Sequence, residues 1–353
     1  MHKLQLQLFI VTLVCILCIE RAFSDVGAFR KKVQQEIVKG MAIANDDRAP
    51  IVYGEQGGRG DFKGQLDPVY WQKFGNYSFA LKPGKRASAA IDSVFPTSRS
   101  QKEVKLECHS MMIAVIFRAL KEAMGAERFD NQFRKTPLII KYGDLKASGL
   151  ERFFLKTQIP KGQIEVGDWV YFQNHDSYLH RHPDGPWQGE NAIFVGKVRG
   201  ENVFSGFGAP NKTERGMLKE LLDRYNEPQS PEDKAILAAE WKKLEKWLVA
   251  NSVYRKGSYF QLSQKLFKPI PARKDPEDII EELFVPVARG LGYRSVAEFS
   301  SEFEYGVEEV NGMHLFWVEK TPSYEAKLDI TDIPGMRRID RLDYQKLYSL
   351  IFK

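Results

Sequence analysis

The stretch Lys105–Ile116, KLECHSMMIAVI, decides the predicted fold, because it places a cysteine at the start of an apolar, helix-forming segment. The apolar positions that follow the cysteine and share a helical spacing are Met112, Ile116, Ala119, Leu120 and Ala123. This spacing is that of one face of a helix, and Gly125 is a typical helix end. The sequence therefore predicts a helix with one buried face, and Cys108 lies at or just before its first turn.

Cys108 occupies a position that can activate a thiol. A helix N-terminus carries partial positive charge and free backbone amides, and both favour the thiolate, which is the nucleophilic form. The charge of the neighbouring Glu107 opposes this effect, unless that carboxylate takes the thiol proton. Residue type alone leaves three roles open for Cys108: a reactive thiol, an intermolecular disulfide, or a buried side chain that packs like a small apolar residue.

Residues 1–24 are typical of a secretory signal peptide. Leu8–Ile19 is a continuous apolar run, and Ala22–Ser24 supplies a small-residue cleavage site. The run is shorter than the roughly 20 apolar residues that a membrane-spanning helix needs. We therefore expect a secreted, extracellular protein with no stable membrane anchor after cleavage. Cleavage would also remove Cys15 and Cys18, so that Cys108 would be the one cysteine of the mature protein.

The composition is ordinary for a globular protein, with 43% hydrophobic and 28% charged residues. The net charge of +6 is dispersed along the chain and forms no basic stripe of the kind that binds nucleic acid. No cysteine and histidine spacing typical of a zinc site is present. We therefore expect no nucleic-acid partner, no metal and no cofactor.

The remaining chain alternates helical and strand-like segments. Three segments predict strands, namely Gly162–Phe172, Asn191–Val195 and Glu201–Phe204. Four other segments predict helices over residues 25–45, 213–225, 231–250 and 275–284, and Asn311–Gly312 predicts the turn of a hairpin. The pattern changes after the Pro-rich stretch Pro269–Pro271. We therefore predict a signal peptide (1–24), a catalytic domain (25–269) and an accessory helix and hairpin region (270–353).

Two of these strands resemble those of the NlpC/P60 cysteine peptidases, which have a papain-like core. Residues 167–172, GDWVYF, are similar to the family's GDLVFF strand, and residues 189–196, GENAIFVG, are similar to the strand that begins with its catalytic histidine. Glu190 stands near the position of that histidine. The substitution of an acid for the histidine points to another family with the same core.

The chain resembles the small protein-glutamine γ-glutamyltransferases of Bacillus spore coats. The resemblance extends over roughly residues 68–269, and the segment GNYSFALKPG (75–84) adds to it ahead of the cysteine. The clearest similar blocks, which follow the family's order, are residues 106–133, 167–174, 186–196 and 258–269. Blocks in the same order along both sequences make this resemblance more specific than any single motif.

The resemblance implies an α+β fold with a papain-like core, in which the nucleophile begins a helix packed on an antiparallel sheet. It implies that Cys108 is the nucleophile, that Glu190 is its acidic partner and that Glu107 shares part of that role. We expect Trp169 and Trp187 to form the substrate-binding part of the site. The implied activity joins glutamine and lysine side chains of proteins or peptides into isopeptide crosslinks through a cysteine thioester, without a cofactor.

The sequence departs from the family in one catalytic position. The family has a histidine after the second strand, where this chain has Ser205 or Gly206. His180 or His182, in a longer loop, could fold over the site and replace it. His109 follows the cysteine directly and is poorly placed to act as a base.

Two other functions therefore stay open. One is a cysteine amidase or peptidase of the NlpC/P60 type, and the other is a non-catalytic binding protein on a degenerate scaffold.

Overall fold

The computed structural model describes residues 25–54, 64–75, 78–98, 101–134, 138–143, 145–183, 185–256, 259–262, 303–310, 313–320 and 327–352. Within them, side chains are not described at 180, 240–241, 244–245, 247–248, 251–256, 259–262, 303–310 and 313–320. The predicted signal peptide and the predicted helix over 275–284 lie outside the described residues. No helix in the described ranges has both the length and the apolar character to cross a membrane.

Helices and strands alternate along the chain, as an α+β fold requires. The helices are α1 (25–44), α2 (Ala87–Asp92), α3 (Cys108–Met124), α4 (Ala126–Gln132), α5 (Tyr178–Arg181), α6 (Glu214–Asn226), α7 (Pro231–Asn251) and α8 (Tyr344–Phe352). The strands up to the middle of the chain are β1 (Ile51–Tyr53), β2 (Trp71–Gly75), β3 (Ser78–Leu81), β4 (Val104–Leu106), β5 (Ile139–Lys141), β6 (Trp169–Gln173), β7 (Gly189–Val198), β8 (Glu201–Gly206) and β9 (Lys212–Thr213). The later strands are β10 (Ser252–Lys256), β11 (Tyr259–Leu262), β12 (Phe303–Val310), β13 (Met313–Lys320) and β14 (Gly335–Asp340).

The chain divides into two compact units, and their boundaries differ from the predicted ones. The first unit contains residues 1–174, 189–222 and 333–353, and the second contains residues 175–188 and 223–332. The accessory region over 270–353 stays a prediction, and one of its strands, β14, lies in the first unit. The reason is a long-range strand pairing: β14 adds to the sheet of the first unit by pairing antiparallel with β6.

Helix α3 forms the centre of the first unit. It begins at Cys108 and ends at Gly125, whose φ of +87° suits a residue without a side chain. Nearly its whole circumference is buried, including consecutive residues from Met111 to Phe117. The prediction of a single buried face is too narrow, because α2, α4, β5 and β7 all contact this helix.

A five-stranded antiparallel sheet of order β14-β6-β7-β8-β9 packs against α3. Its register pairs Phe172 with Glu190 and Tyr171 with Asn191. The start of β7 therefore carries two polar residues into the buried part of the first unit. This arrangement confirms the predicted α+β class, with the cysteine at a helix start that packs on an antiparallel sheet.

The second unit has its own helix and sheet. Helix α7 begins with a reciprocal cap, in which Ser230 Oγ accepts from the Asp233 N–H and the Asp233 carboxylate accepts from the Ser230 N–H. The sheet has the order β10-β11-β13-β12 and is antiparallel. Strands β12 and β13 pair antiparallel from Phe303 with Lys320 to Val310 with Met313, and the predicted turn Asn311–Gly312 lies outside the described residues.

The C-terminal segment is fastened to the first unit by a buried ion pair. Arg341 donates to both oxygens of Asp168 at 2.8 and 2.7 Å, and the Asp168 residue is 1% exposed. Asp168 also accepts from the N–H of Glu165. Removing one partner of a buried pair leaves the other charge without compensation.

We predict that Arg341→Met lowers the free energy of unfolding by about 3 kcal/mol, because Asp168 would stay buried without its cation. Denaturant unfolding followed by circular dichroism measures the change. The double variant Asp168→Asn/Arg341→Met should recover part of the loss, since no buried charge then remains. Equal stability of the wild type and Arg341→Met would contradict the assigned role of the pair.

Candidate active site

The first unit buries Cys108 at the N-terminus of α3 together with its acidic neighbour. Cys108 is 8% exposed and Glu107 is 2% exposed. Glu107 is the N-cap of α3, and its carboxylate accepts from the backbone N–H groups of His109 (2.7 Å) and Ser110 (2.5 Å). It also accepts a hydrogen bond from the Cys108 thiol. Glu107 therefore shapes the helix start and contacts the sulfur at the same time.

Strand β7 brings a second carboxyl to the site. Glu190 is 3% exposed, and its side chain accepts a hydrogen bond from the backbone N–H of Phe207. Its Oε1 has no hydrogen-bond partner among the described residues. A buried carboxyl oxygen with unused acceptor capacity is suited to receive a proton from a reacting group.

An amide holds the sulfur in place. Asn191 Nδ2 donates to Cys108 Sγ at 3.2 Å, and Asn191 Oδ1 accepts from the indole N–H of Trp169 at 2.9 Å. Because the indole can only donate, it fixes the orientation of the amide and turns the NH₂ group toward the sulfur. Asn191 and Trp169 together therefore restrain the position of the Cys108 side chain.

Burial controls the protonation of all three groups. Burial raises the pKa of the Cys108 thiol well above its ordinary value, and the charges of Glu190 and Glu107 raise it further. Burial likewise raises the pKa of Glu190 well above that of an ordinary carboxyl, and Glu107 adds to this effect. The pKa of Glu107 is also raised by burial, although its hydrogen bonds from Ser110, His109 and Cys108 oppose the rise.

These shifts favour a neutral thiol in the resting protein and a carboxyl that is more basic than usual. Burial makes the Glu190 carboxylate a stronger base than an exposed carboxylate, and it also makes Cys108 hold its proton more tightly than an exposed thiol does. The arrangement is suited to general-base activation of the sulfur during attack, rather than to a preformed thiolate.

Gly206 leaves room for the Glu190 side chain, because it has no side chain of its own. A Cβ atom at Gly206 would lie 2.2 Å from Glu190 Oε1 and 2.8 Å from Cδ. A side chain therefore does not fit at this position while Glu190 keeps its place. The neighbouring Phe207 supplies a backbone N–H to Glu190.

Asn45, at the end of α1, holds this segment of backbone. Its side-chain amide donates to the carbonyl of Gly206 at 2.9 Å and accepts from the N–H of Gly208 at 3.0 Å. Ser205 is buried, and its Oγ lies 3.5 Å from the same amide nitrogen. The bond from Phe207 to Glu190 is thus supported from both sides of Phe207.

Two tyrosines flank the cysteine. Burial raises the pKa of Tyr171 to about 12, and the charges of Cys108 and Glu190 contribute. Burial also raises the pKa of Tyr142, to which Glu107 and Cys108 add, yet the Tyr142 residue is 46% exposed. Tyr142 therefore connects the buried site to solvent.

The structure brings Cys108, Glu107 and Glu190 together, as the sequence predicts. Trp169 also belongs to this site, but it is 1% exposed, so its ring is buried and its N–H serves Asn191 rather than an incoming substrate. Trp187 lies in the second unit, where the guanidinium of Arg224 is 4.8 Å from its ring centroid. Its substrate-binding role stays a prediction.

Among the described residues of the first unit, His109 is the one histidine, and the replacement of the imidazole by His180 or His182 stays a prediction. His109 points its ring toward Trp169, with 5.0 Å between ring centroids. In the second unit, the ring nitrogens of His182 lie 3.3 Å from Asp233 Oδ2 and 3.0 Å from the Tyr225 carbonyl oxygen. The side chain of His180 is not described.

Sequence reasoning missed Asn191, Gly206 and Phe207. Asn191 stood in the quoted block GENAIFVG, beside the acid, and could have been considered. The other two act through backbone geometry and left no such signal. The described residues contain no group of three or more His, Cys, Asp or Glu side chains that could hold a metal ion.

We predict that Glu190→Gln accelerates alkylation of Cys108 by iodoacetamide severalfold at pH 8–9. The charge of Glu190 raises the thiol pKa, so removing that charge lowers the pKa and increases the thiolate fraction at a given alkaline pH. Peptide mass spectrometry at Cys108 measures the rate. Glu201→Gln, which neutralises an exposed carboxyl of β8, is the control, and a rate in Glu190→Gln equal to that of the wild type would contradict the effect of the Glu190 charge on the thiol.

Comparison with known proteins places this site within a family. The sequence model of the family described as protein-glutamine gamma-glutamyltransferase matches residues 60–251. Of two curated proteins with that name, the one from Halalkalibacterium halodurans is 30% identical over 167 residues, which are 46% of this chain and 51% of that protein. The one from Bacillus mycoides is 28% identical over 158 residues, 45% of this chain and 51% of that protein. The match thus spans about half the length of these relatives.

A solved structure, the transglutaminase from Geobacillus stearothermophilus without its C-terminal extension, aligns with a TM-score of 0.45 and 20% sequence identity. The alignment covers 56% of this chain and 84% of that one.

Proposed function

Since the chain belongs to the protein-glutamine gamma-glutamyltransferase family, we propose that it joins glutamine and lysine side chains of proteins or peptides into isopeptide crosslinks. Cys108 is the nucleophile and Glu190 the general base and acid. The observation that supports this proposal is the buried Oε1 of Glu190, which has no hydrogen-bond partner among the described residues and belongs to a carboxyl whose charge raises the pKa of the Cys108 thiol. It fits a group whose task is to exchange protons with reacting atoms.

The first half-reaction forms a thioester. The Cys108 sulfur attacks the carboxamide carbon of a glutamine side chain, while its proton moves to Glu190. Glu190 then returns the proton to the departing nitrogen, which leaves as ammonia as the C–N bond breaks. The backbone N–H of Cys108, in the first turn of α3, is the candidate donor that would stabilise the oxyanion formed in between.

The second half-reaction transfers the acyl group. A lysine amine attacks the thioester carbon and gives a proton to Glu190, which passes it to the departing sulfur. An isopeptide bond forms and the thiol is regenerated. Low exposure of the three reacting groups disfavours water as a competing acceptor.

Glu107 has a narrower role in this mechanism than Glu190. Two backbone N–H groups already occupy its carboxylate, so we assign it mainly to holding the helix start and receiving the thiol hydrogen bond. Asn191 keeps the sulfur oriented through both half-reactions. No cofactor enters either step.

We also propose that the protein is secreted. The support is the apolar run Leu8–Ile19 with the small-residue site Ala22–Ser24. Glutamine- and lysine-bearing proteins outside the cell, rather than nucleic acid or a membrane, are then its partners.

Incorporation of a fluorescent primary amine into a glutamine-rich protein tests the proposed activity. We expect fluorescence in the protein band with wild type, and none with Cys108→Ala or Glu190→Gln. Release of cleaved peptide without amine uptake would indicate the amidase or peptidase alternative. No reaction, together with slow thiol labelling that does not depend on Glu190, would favour a non-catalytic binding protein.

We predict that Gly206→Ala reduces amine incorporation by at least about 100-fold, which corresponds to a loss of roughly 2.7 kcal/mol of transition-state stabilisation. The added methyl group would collide with Glu190 Oε1 and move the carboxyl away from the sulfur. Gly162→Ala is the matched control, because a Cβ there meets no atom within 4 Å. Full activity of Gly206→Ala would contradict the placement of Glu190 as the base.

A further inference from the structure

A second feature of the first unit is a cationic groove beside β14. It is a cavity of about 570 Å³ between the segment Leu155–Lys161 and the strand residues Met336–Asp340. Its basic residues are Lys156, Lys161, Arg337 and Arg338, and its one acidic residue is Asp340. Strand β14 lies outside residues 60–251, the part of the chain that matches the family.

Two of the four cations have no anionic partner among the described residues. Lys161 lies 3.3 Å from Glu214, and Arg338 lies 2.7 Å from Asp340. Lys156 and Arg337 are exposed and take part in none of the ion pairs of the described residues. The groove therefore carries an uncompensated positive charge, which would attract an acidic ligand.

The backbone of the groove also suits an extended peptide. Strand β14 is at the end of the five-stranded order and pairs only with β6 within the described sheet. An edge strand presents N–H and C=O groups with which an added strand can pair. The segment 155–161 forms the opposite wall of the groove. At the start of this segment, the Leu155 N–H donates to the carbonyl oxygen of Arg341 at 2.8 Å.

The strand register connects this groove to the nucleophile. Asn191, which contacts Cys108 Sγ, is paired with Tyr171, and Tyr171 is paired on its other side with Arg338. Directly paired residues of an antiparallel sheet lie on the same face. Two strand spacings of roughly 4.8 Å place Arg338 about 10 Å from Asn191, the length of about three residues of extended chain. Arg337, one of the two unpaired cations, directly precedes Arg338 at a register shift of β14.

We propose that this groove binds an acidic segment of the glutamine-bearing substrate, with its acidic residues about three positions from the reactive glutamine. The inference rests on the proposed function and names its substrate class. The glutamine substrate is the appropriate occupant because its carboxamide is neutral, whereas the lysine substrate brings an ammonium group that the groove would repel.

The test compares two glutamine peptides of equal length, one with two aspartates three and four residues from the glutamine and one with serines there. We expect wild type to prefer the acidic peptide about fivefold or more in kcat/KM for amine incorporation, since each exposed ion pair contributes modestly. In Lys156→Glu/Arg337→Glu the preference should disappear or reverse, while kcat/KM for the serine peptide is unchanged. High salt should reduce the wild-type preference.

Lys73→Glu/Lys197→Glu is the control, because it makes the same charge change at two exposed lysines outside the groove. It should keep the wild-type preference. Equal kcat/KM for both peptides in wild type, or a preference unchanged by Lys156→Glu/Arg337→Glu, would overturn the proposal. Equal losses on both peptides would overturn it too, because the two residues would then serve the fold and not recognition.

Binding separates this proposal from the proposed activity. Fluorescence anisotropy with the same peptides, carrying asparagine in place of glutamine, needs no turnover. If wild type incorporates no amine but binds the acidic peptide more tightly through Lys156 and Arg337, the proposed crosslinking activity is contradicted, whereas the proposed binding of acidic peptides in the groove is supported. If wild type incorporates amine but binds both peptides equally tightly, the proposed role of the groove is contradicted, whereas the proposed crosslinking activity is supported.

Discussion

The repulsion between buried negative charges around one sulfur is the constraint on which the first unit depends. Cys108, Glu107 and Glu190 are each under one-tenth exposed, and a buried charge without compensation is costly. Burial therefore raises the pKa values of all three groups above those of exposed groups of the same kind. The Glu190 carboxylate is then a stronger base than an exposed carboxylate, and Cys108 holds its proton more tightly than an exposed thiol does.

Other residues of the first unit hold the Glu190 carboxyl in its buried position in spite of the free-energy cost of burial. The absence of a side chain at Gly206 leaves room for Glu190, and the Phe207 N–H supplies its hydrogen bond. Asn45 fixes the backbone on either side of that donor. Trp169 orients Asn191 against the sulfur. Each of these contacts spans distant parts of the chain, so the geometry of the site is a property of the folded unit rather than of any motif. The unpartnered oxygen of Glu190 is the acceptor that the proposed chemistry would use.

The sequence predicts the parts of this arrangement that depend on local pattern or on resemblance. The helical spacing after Cys108 and Gly125 predicts α3, and the block around Glu190 predicts the acid through the family. The register that pairs Tyr171 with both Asn191 and Arg338 was not predictable, because β14 joins β6 across more than 150 residues of chain. The same pairing joins the C-terminal segment to the sheet of the first unit. Gly206 was read only as a lost histidine, since close backbone approach leaves no sequence signal. Trp169 was expected to bind substrate, and no sequence pattern indicated that its indole N–H would donate to Asn191.

The most direct test of the central claim is the ionisation of Glu190 itself. Infrared difference spectroscopy of wild type against Glu190→Gln, recorded across a pH series, isolates the carboxyl C=O band of this one residue. The account predicts a protonated-carboxyl band that persists at pH values where exposed carboxyls are already ionised, and that shifts in position when Cys108 is replaced by alanine. A Glu190 that ionises together with the exposed carboxyls, and that does not respond to the loss of the sulfur, would contradict the account.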